Sequence, residues 1–118
     1  MGALVATTPS NTGTVTAGAA VASTDTIAQS LLGSRGAYLR INNGNASPDT
    51  VTISDSGLTP AGNALNLSPG GVISDVITNG TAQIYWIKPE QVNPTTGLVT
   101  VTHTTTPTVT YELYPLGI

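Results

Sequence analysis

From Leu98 to His103, and again from Thr108 to Tyr114, large apolar residues occupy every second position and the positions between them are mostly threonine. That period of two is the signature of a half-buried β-strand, and it excludes an amphipathic helix, whose apolar residues would recur every three or four positions. Val99, Val101 and His103 share one face, and Thr100 and Thr102 share the other. In the second run Val109, Tyr111 and Leu113 lie opposite Thr108, Thr110 and Glu112. Threonine on the outward face favours β structure through its branched Cβ without exposing hydrocarbon or adding charge. Because only Thr104-Thr105-Thr106-Pro107 separates the runs, they are expected to form a terminal hairpin, with the chain's single histidine at the rim of its core face.

The same period runs upstream. In Ala37-Tyr38-Leu39-Arg40-Ile41, Leu39 and Ile41 face inward, and Thr50 to Ser54 turns Val51 and Ile53 inward. Further strands are expected at Ala64 to Leu67, Val72 to Ile77 and Thr81 to Ile87, with Ser68-Pro69-Gly70-Gly71 as a turn. Asn79-Gly80 between two apolar runs predicts a β-hairpin. One stretch has a helical look: Ile27, Leu31 and Leu32 after Asp25 as N-cap and before Gly33 predict an ordered loop or one or two helical turns. Short strands separated by turns, with almost no helix, define an all-β fold: an antiparallel β-sandwich or small barrel, immunoglobulin-like or jelly-roll-like. Residues 1–24, rich in Ala, Thr, Gly and Val, read as a partly extended N-terminal arm with one or two weak strands, such as Thr14-Val15-Thr16; residues 25–118 read as one sandwich domain.

Only 8% of the 118 residues are charged, the net charge is −3, and cysteine is absent. Disulfide scaffolds and thiolate metal sites are therefore excluded. Arg35, Arg40 and Lys88 are too few for the basic stripe that nucleic acid requires. No apolar run approaches the ~20 residues of a membrane helix, and MGALVATTPS lacks the basic and apolar regions of a secretory signal. A chain complete at Met1 is thus expected to be made for the cytoplasm or to leave by a route unlike Sec.

No residue pattern announces a reaction. His103 lacks an evident nucleophile, and no Ser sits in a G-x-S-x-G setting, so it reads as structural. Asp25, Asp49, Asp55, Asp75, Glu90 and Glu112 are scattered singly, without calcium-loop spacing, and read as caps and turn residues. No catalytic, cofactor or metal residue is assigned. Residues 84–88, IYWIK, are the exception to a polar outer face: Ile84 and Trp86 point one way, Tyr85 and Ile87 the other. Core filling is slightly favoured for Trp86, and Tyr85 is the better interface residue. With Arg35 and Tyr38 these are the interface candidates.

Taken in order, SRGAYLRINNGNASPDTVTISDSG, LNLSPGGVISDV and NPTTGLVTVTHTTTPTVTYEL resemble the small β-rich head decoration, or cement, proteins of tailed bacteriophages. The resemblance spans residues 33 to 114 and lies in pattern and order. It implies a structural virion protein, not an enzyme. Such a protein binds the major capsid protein lattice on the capsid exterior, after synthesis in the bacterial host, as a homotrimer at three-fold positions or as a monomer. The arm would then add contact area on a neighbour, and its removal would leave the fold's melting nearly unchanged. The competing expectation is a carbohydrate- or cell-surface-binding sandwich from a phage fibre or adhesin, with Tyr85 and Trp86 stacking on sugar rings.

Overall fold

The computed structural model describes residues 2–7, 12–13, 18–55 and 72–116. The elements are β1 (Gly2–Ala3), β2 (Ala19–Ala20), β3 (Thr24–Ala28), α1 (Gln29–Leu32), β4 (Ala37–Asn43), β5 (Asp49–Ser54), β6 (Val72–Ile77), β7 (Thr81–Ile87), β8 (Leu98–His103) and β9 (Val109–Pro115). The expected strands at Thr14 to Thr16 and Ala64 to Leu67, and the turn at Ser68 to Gly71, lie outside the described residues.

The strands form two sheets packed as a β-sandwich. Sheet A has the order β1-β3-β8-β5-β6 and sheet B the order β2-β9-β4-β7. Alternation decides which side chains meet between them. Ile27, Val51, Ile53, Ile77, Val99 and Val101 from sheet A pack against Ala37, Leu39, Ile41, Ile87, Val109, Tyr111 and Leu113 from sheet B. The opposite parity of sheet A carries hydroxyls: Thr24, Thr102, Thr52 and Ser74 fall in register across four strands. The threonine ladder is thus part of a hydroxyl-covered outer face, with β8 in the middle of its sheet.

Three sequence expectations are corrected. The terminal hairpin does not form: β8 pairs with β3 and β5, β9 pairs with β4 and β2, and Thr104 to Thr108 carries the chain from one sheet to the other. Both strands bury one face in the same core, so they oppose each other across it. Asn79-Gly80 likewise turns a corner between sheets, since β6 pairs with β5 and β7 with β4. The Thr81 amide bonds the Thr78 carbonyl at 3.1 Å, and Gly80 has φ 76° while Asn79 has no positive φ. Positive φ at the third turn position alone is the type II pattern, which does not match the twist of a two-stranded hairpin as type I′ does. Finally, Thr26 to Ala28 are strand rather than helix, because β8 offers Ile27 a ladder partner in Val99. Only Gln29–Leu32 turn helically, ending at Gly33 with φ 54°. Asp25 lies within β3, where its Oδ2 accepts the Ala22 amide at 3.0 Å.

The N-terminal segment closes the sandwich. Gly2–Ala3 pair in parallel with Asp25–Thr26 of sheet A, and three residues later Ala6 bridges Leu113 of sheet B. Between them Leu4 is 6% exposed in the core, and the Val5 amide donates to the Tyr111 hydroxyl at 2.9 Å. Val21, beside β2, is buried in the same core. The described part of the arm is therefore packed into the fold, so its removal is now expected to lower the melting temperature rather than leave it nearly unchanged.

Candidate functional site

Register builds the outer face of sheet B in rows. Trp86 on β7 pairs with Tyr38 on β4, which pairs with Tyr114 on β9. The next row is Ile84, Arg40 and Glu112. Ile84 is 63% exposed, Trp86 53% and Tyr38 44%, so an aromatic and aliphatic surface faces outward on the two hydrogen-bonded strands β7 and β4. Single exposed apolar residues are ordinary, but adjacent ones on a rigid sheet mark a contact surface.

The loop before β4 and the turn after β7 frame this surface. At Gly36, φ is 84° and an added Cβ would lie 2.2 Å from the Ile87 carbonyl oxygen, so only glycine lets the loop approach β7 this closely. That approach brings the Arg35 carbonyl within 3.0 Å of Trp86 Nε1, whose N–H it accepts. On the other side a 3-10 turn, Pro89–Gln91, is fixed by buried Gln91, whose Oε1 accepts the Lys88 amide at 2.8 Å. The Lys88 ammonium then sits 5.0 Å from the centroid of the Trp86 ring, a cation–π contact. A groove of about 490 Å³ results, lined by Arg35, Tyr38, Trp86, Lys88, Glu90 and Leu116 among others.

Of the four interface candidates, Arg35, Tyr38 and Trp86 come together here and Tyr85 does not. Tyr85 points between the sheets and donates its hydroxyl to Asp75 Oδ2 at 2.7 Å, tying β7 to β6. Burial first, and then the hydrogen bond and charge of Asp75, push its phenol well above the ordinary value. The expected roles of the two aromatics are therefore reversed: Trp86 is the surface residue and Tyr85 the inter-sheet tie.

Charges are distributed unevenly. Asp25, Asp49, Asp55 and Glu112 are buried and Asp75 is half-buried, leaving Glu90 as the one exposed side-chain carboxylate among the described residues. All three cations lie on or beside the outer face of sheet B. Arg40 bonds Glu112 Oε1 at 3.0 Å, and Tyr114 donates to the other oxygen at 2.7 Å, a bond that raises the Tyr114 phenol. Arg35 is exposed, and Lys88 is half-exposed over Trp86.

One buried pair had no counterpart in the sequence reading. His103 Nδ1 lies 2.7 Å from Asp49 Oδ2, both side chains being almost fully enclosed. Asp49 Oδ1 accepts the amides of Thr104 and Thr105 at 3.0 and 3.1 Å. Both residues sit on the inward parity of their strands, where a polar side chain needs a partner, and that parity was the available signal. The histidine does have an orienting carboxylate, and the bonds of the pair hold the crossing from β8 to β9 in place. Among the described residues no group of three His, Cys, Asp or Glu could hold a metal ion, and no helix is long and apolar enough to cross a membrane.

Comparison with protein-family models, curated proteins and solved structures finds no match to this chain.

Proposed function

We propose that the chain is a structural virion protein that decorates the outer surface of a bacteriophage capsid and stabilises it by binding the major capsid protein lattice. The observation that carries this reading is the exposed Ile84–Trp86–Tyr38 surface on sheet B, on a sandwich whose opposite face is mostly hydroxyl-bearing, with Val76 the one large apolar side chain exposed there among the described residues. A surface of fixed shape suits a partner of fixed shape, and repetition over a symmetric shell lets individually weak contacts add through avidity. The order of patterns from residue 33 to 114, similar to that of phage cement proteins, supports the same reading. Copies bind singly or as trimers at three-fold positions.

The test is co-sedimentation with undecorated capsids. The wild-type chain should pellet with them at saturation, and Trp86→Ala should weaken binding while retaining the melting temperature. A wild-type chain left in the supernatant at saturating concentration overturns the reading.

The exposure of Trp86 beside Tyr38 favours one alternative, a carbohydrate-binding module of a phage fibre or adhesin. Against it, one face of the Trp86 ring already carries the Lys88 ammonium, where a sugar ring would stack. Glycan-array binding that is lost on Trp86→Ala would promote this alternative.

A further inference from the structure

Burial gathers the exposed charge of the chain at one place. Asp25, Asp49, Asp55 and Glu112 are enclosed, Asp75 is half-buried and bonded to Tyr85, and Arg40 is paired with Glu112. Around Trp86, at one end of sheet B, that leaves Arg35 and Lys88 against Glu90, two cations to one acid among the described side chains. Arg35 and Lys88 flank the same groove, with the Trp86 and Tyr38 rings between them.

We propose that this groove recognises a carboxylate-bearing loop of the capsid protein, with Arg35 and Lys88 pairing with Asp or Glu side chains while the loop's apolar residues rest on Trp86 and Tyr38. The inference rests on the capsid reading above and adds the chemistry of the partner. A cationic rim around an aromatic centre is the usual anatomy of a protein contact, in which charges steer and select the partner and the aromatics supply the buried area. A polyanion such as nucleic acid is the poorer fit: Arg40 is already neutralised by Glu112, and Glu90 stands in the groove. Among the side chains that line the groove, Glu90 is the one carboxylate that competes with an incoming one.

Lys88 is the chain's only lysine, which makes a contact-range test specific. Carbodiimide activates a carboxylate and joins it to an amine touching it, so treatment of decorated capsids should yield a peptide linking Lys88 to a capsid Asp or Glu. In parallel, the double reversal Arg35→Glu with Lys88→Glu should lower capsid affinity at least about tenfold. Arg35→Lys with Lys88→Arg should retain binding. Raising NaCl from about 50 to about 300 mM should weaken the wild type far more than a variant with both cations replaced by glutamine. Each variant's single-tryptophan emission and melting temperature report that the fold is intact. A wild-type chain that never pellets overturns the capsid reading and this inference together. A wild type that pellets alongside an equally tight double reversal, or Lys88 found linked only to the chain's own Glu90, overturns this inference and leaves the capsid reading standing.

Discussion

The imidazole of His103 on β8 meets the carboxylate of Asp49 on β5 at 2.7 Å, and the same carboxylate holds the two backbone amides that follow the histidine. One acid thus anchors the point at which the chain leaves sheet A for sheet B. Removing it strands an enclosed histidine and two amides. Asp49→Ala should lower the free energy of unfolding by about 3–5 kcal/mol in urea titrations, and Asp49→Asn, which keeps an acceptor for the amides, by clearly less. Equal losses would show that the two amide bonds contribute nothing of their own and that the carboxylate acts through the histidine alone.

Leu4 carries the N-terminal segment across the open side of the sandwich, with Tyr111 bonding the next residue. Leu4→Ala should cost about 2–5 kcal/mol, as for other enclosed leucines, and Tyr111→Phe about 1 kcal/mol. Thermal melts of both variants, and of a chain lacking residues 2–7, give the comparison. A truncated chain that melts with the wild type would return this segment to the status of a free arm.

Gly36 and Gly80 share a positive φ and differ in surroundings: an added Cβ meets the Ile87 carbonyl at 2.2 Å in the first and nothing within 4 Å in the second. Gly80→Ala should therefore cost only about 1–2 kcal/mol, the penalty of left-handed backbone. Gly36→Ala adds a backbone collision and should leave little folded protein at 37 °C (about 310 K). Circular dichroism of the two variants side by side decides the ordering.

Tyr85 predicts an alkaline limit to stability. Its phenol is raised above the ordinary 10.0 by burial and by Asp75, so above that pH the folded chain keeps a proton that the unfolded chain releases. The folded state then binds more protons, and stability falls as pH rises; below the unfolded value the contribution is complete. Urea midpoints at about pH 9 and about pH 11 should differ more for the wild type than for Tyr85→Phe.

Much of the fold was legible in the sequence because alternation reports which residues of a strand face inward: Leu39 and Ile41, Val51 and Ile53, Val99 and Val101 are all enclosed. Alternation does not report which sheet a strand joins. That is why β8 and β9, and likewise β6 and β7, looked like hairpins when a turn of similar composition carries each pair around a corner. Ile84 to Ile87 was ambiguous for a related reason, having apolar residues on both faces. The choice fell to the Tyr85 hydroxyl, which finds Asp75 between the sheets, whereas Trp86 finds its partner at the surface in the Arg35 carbonyl. The charged groove was illegible because enclosure of the acids depends on partners distant in the chain, as with Asp49 and His103.

The ladders have a consequence for the order in which a copy can be made. Among the described strands only β5 and β6 are both consecutive and paired; every other ladder joins strands separated by at least one more. β9, near the end of the sequence, lies between β2 and β4 in sheet B. A ribosome must therefore release β9 before that sheet can close, and folding dominated by such distant pairings is slow. A copy cut short before Val109 lacks the strand that joins β2 to β4, and so cannot complete sheet B.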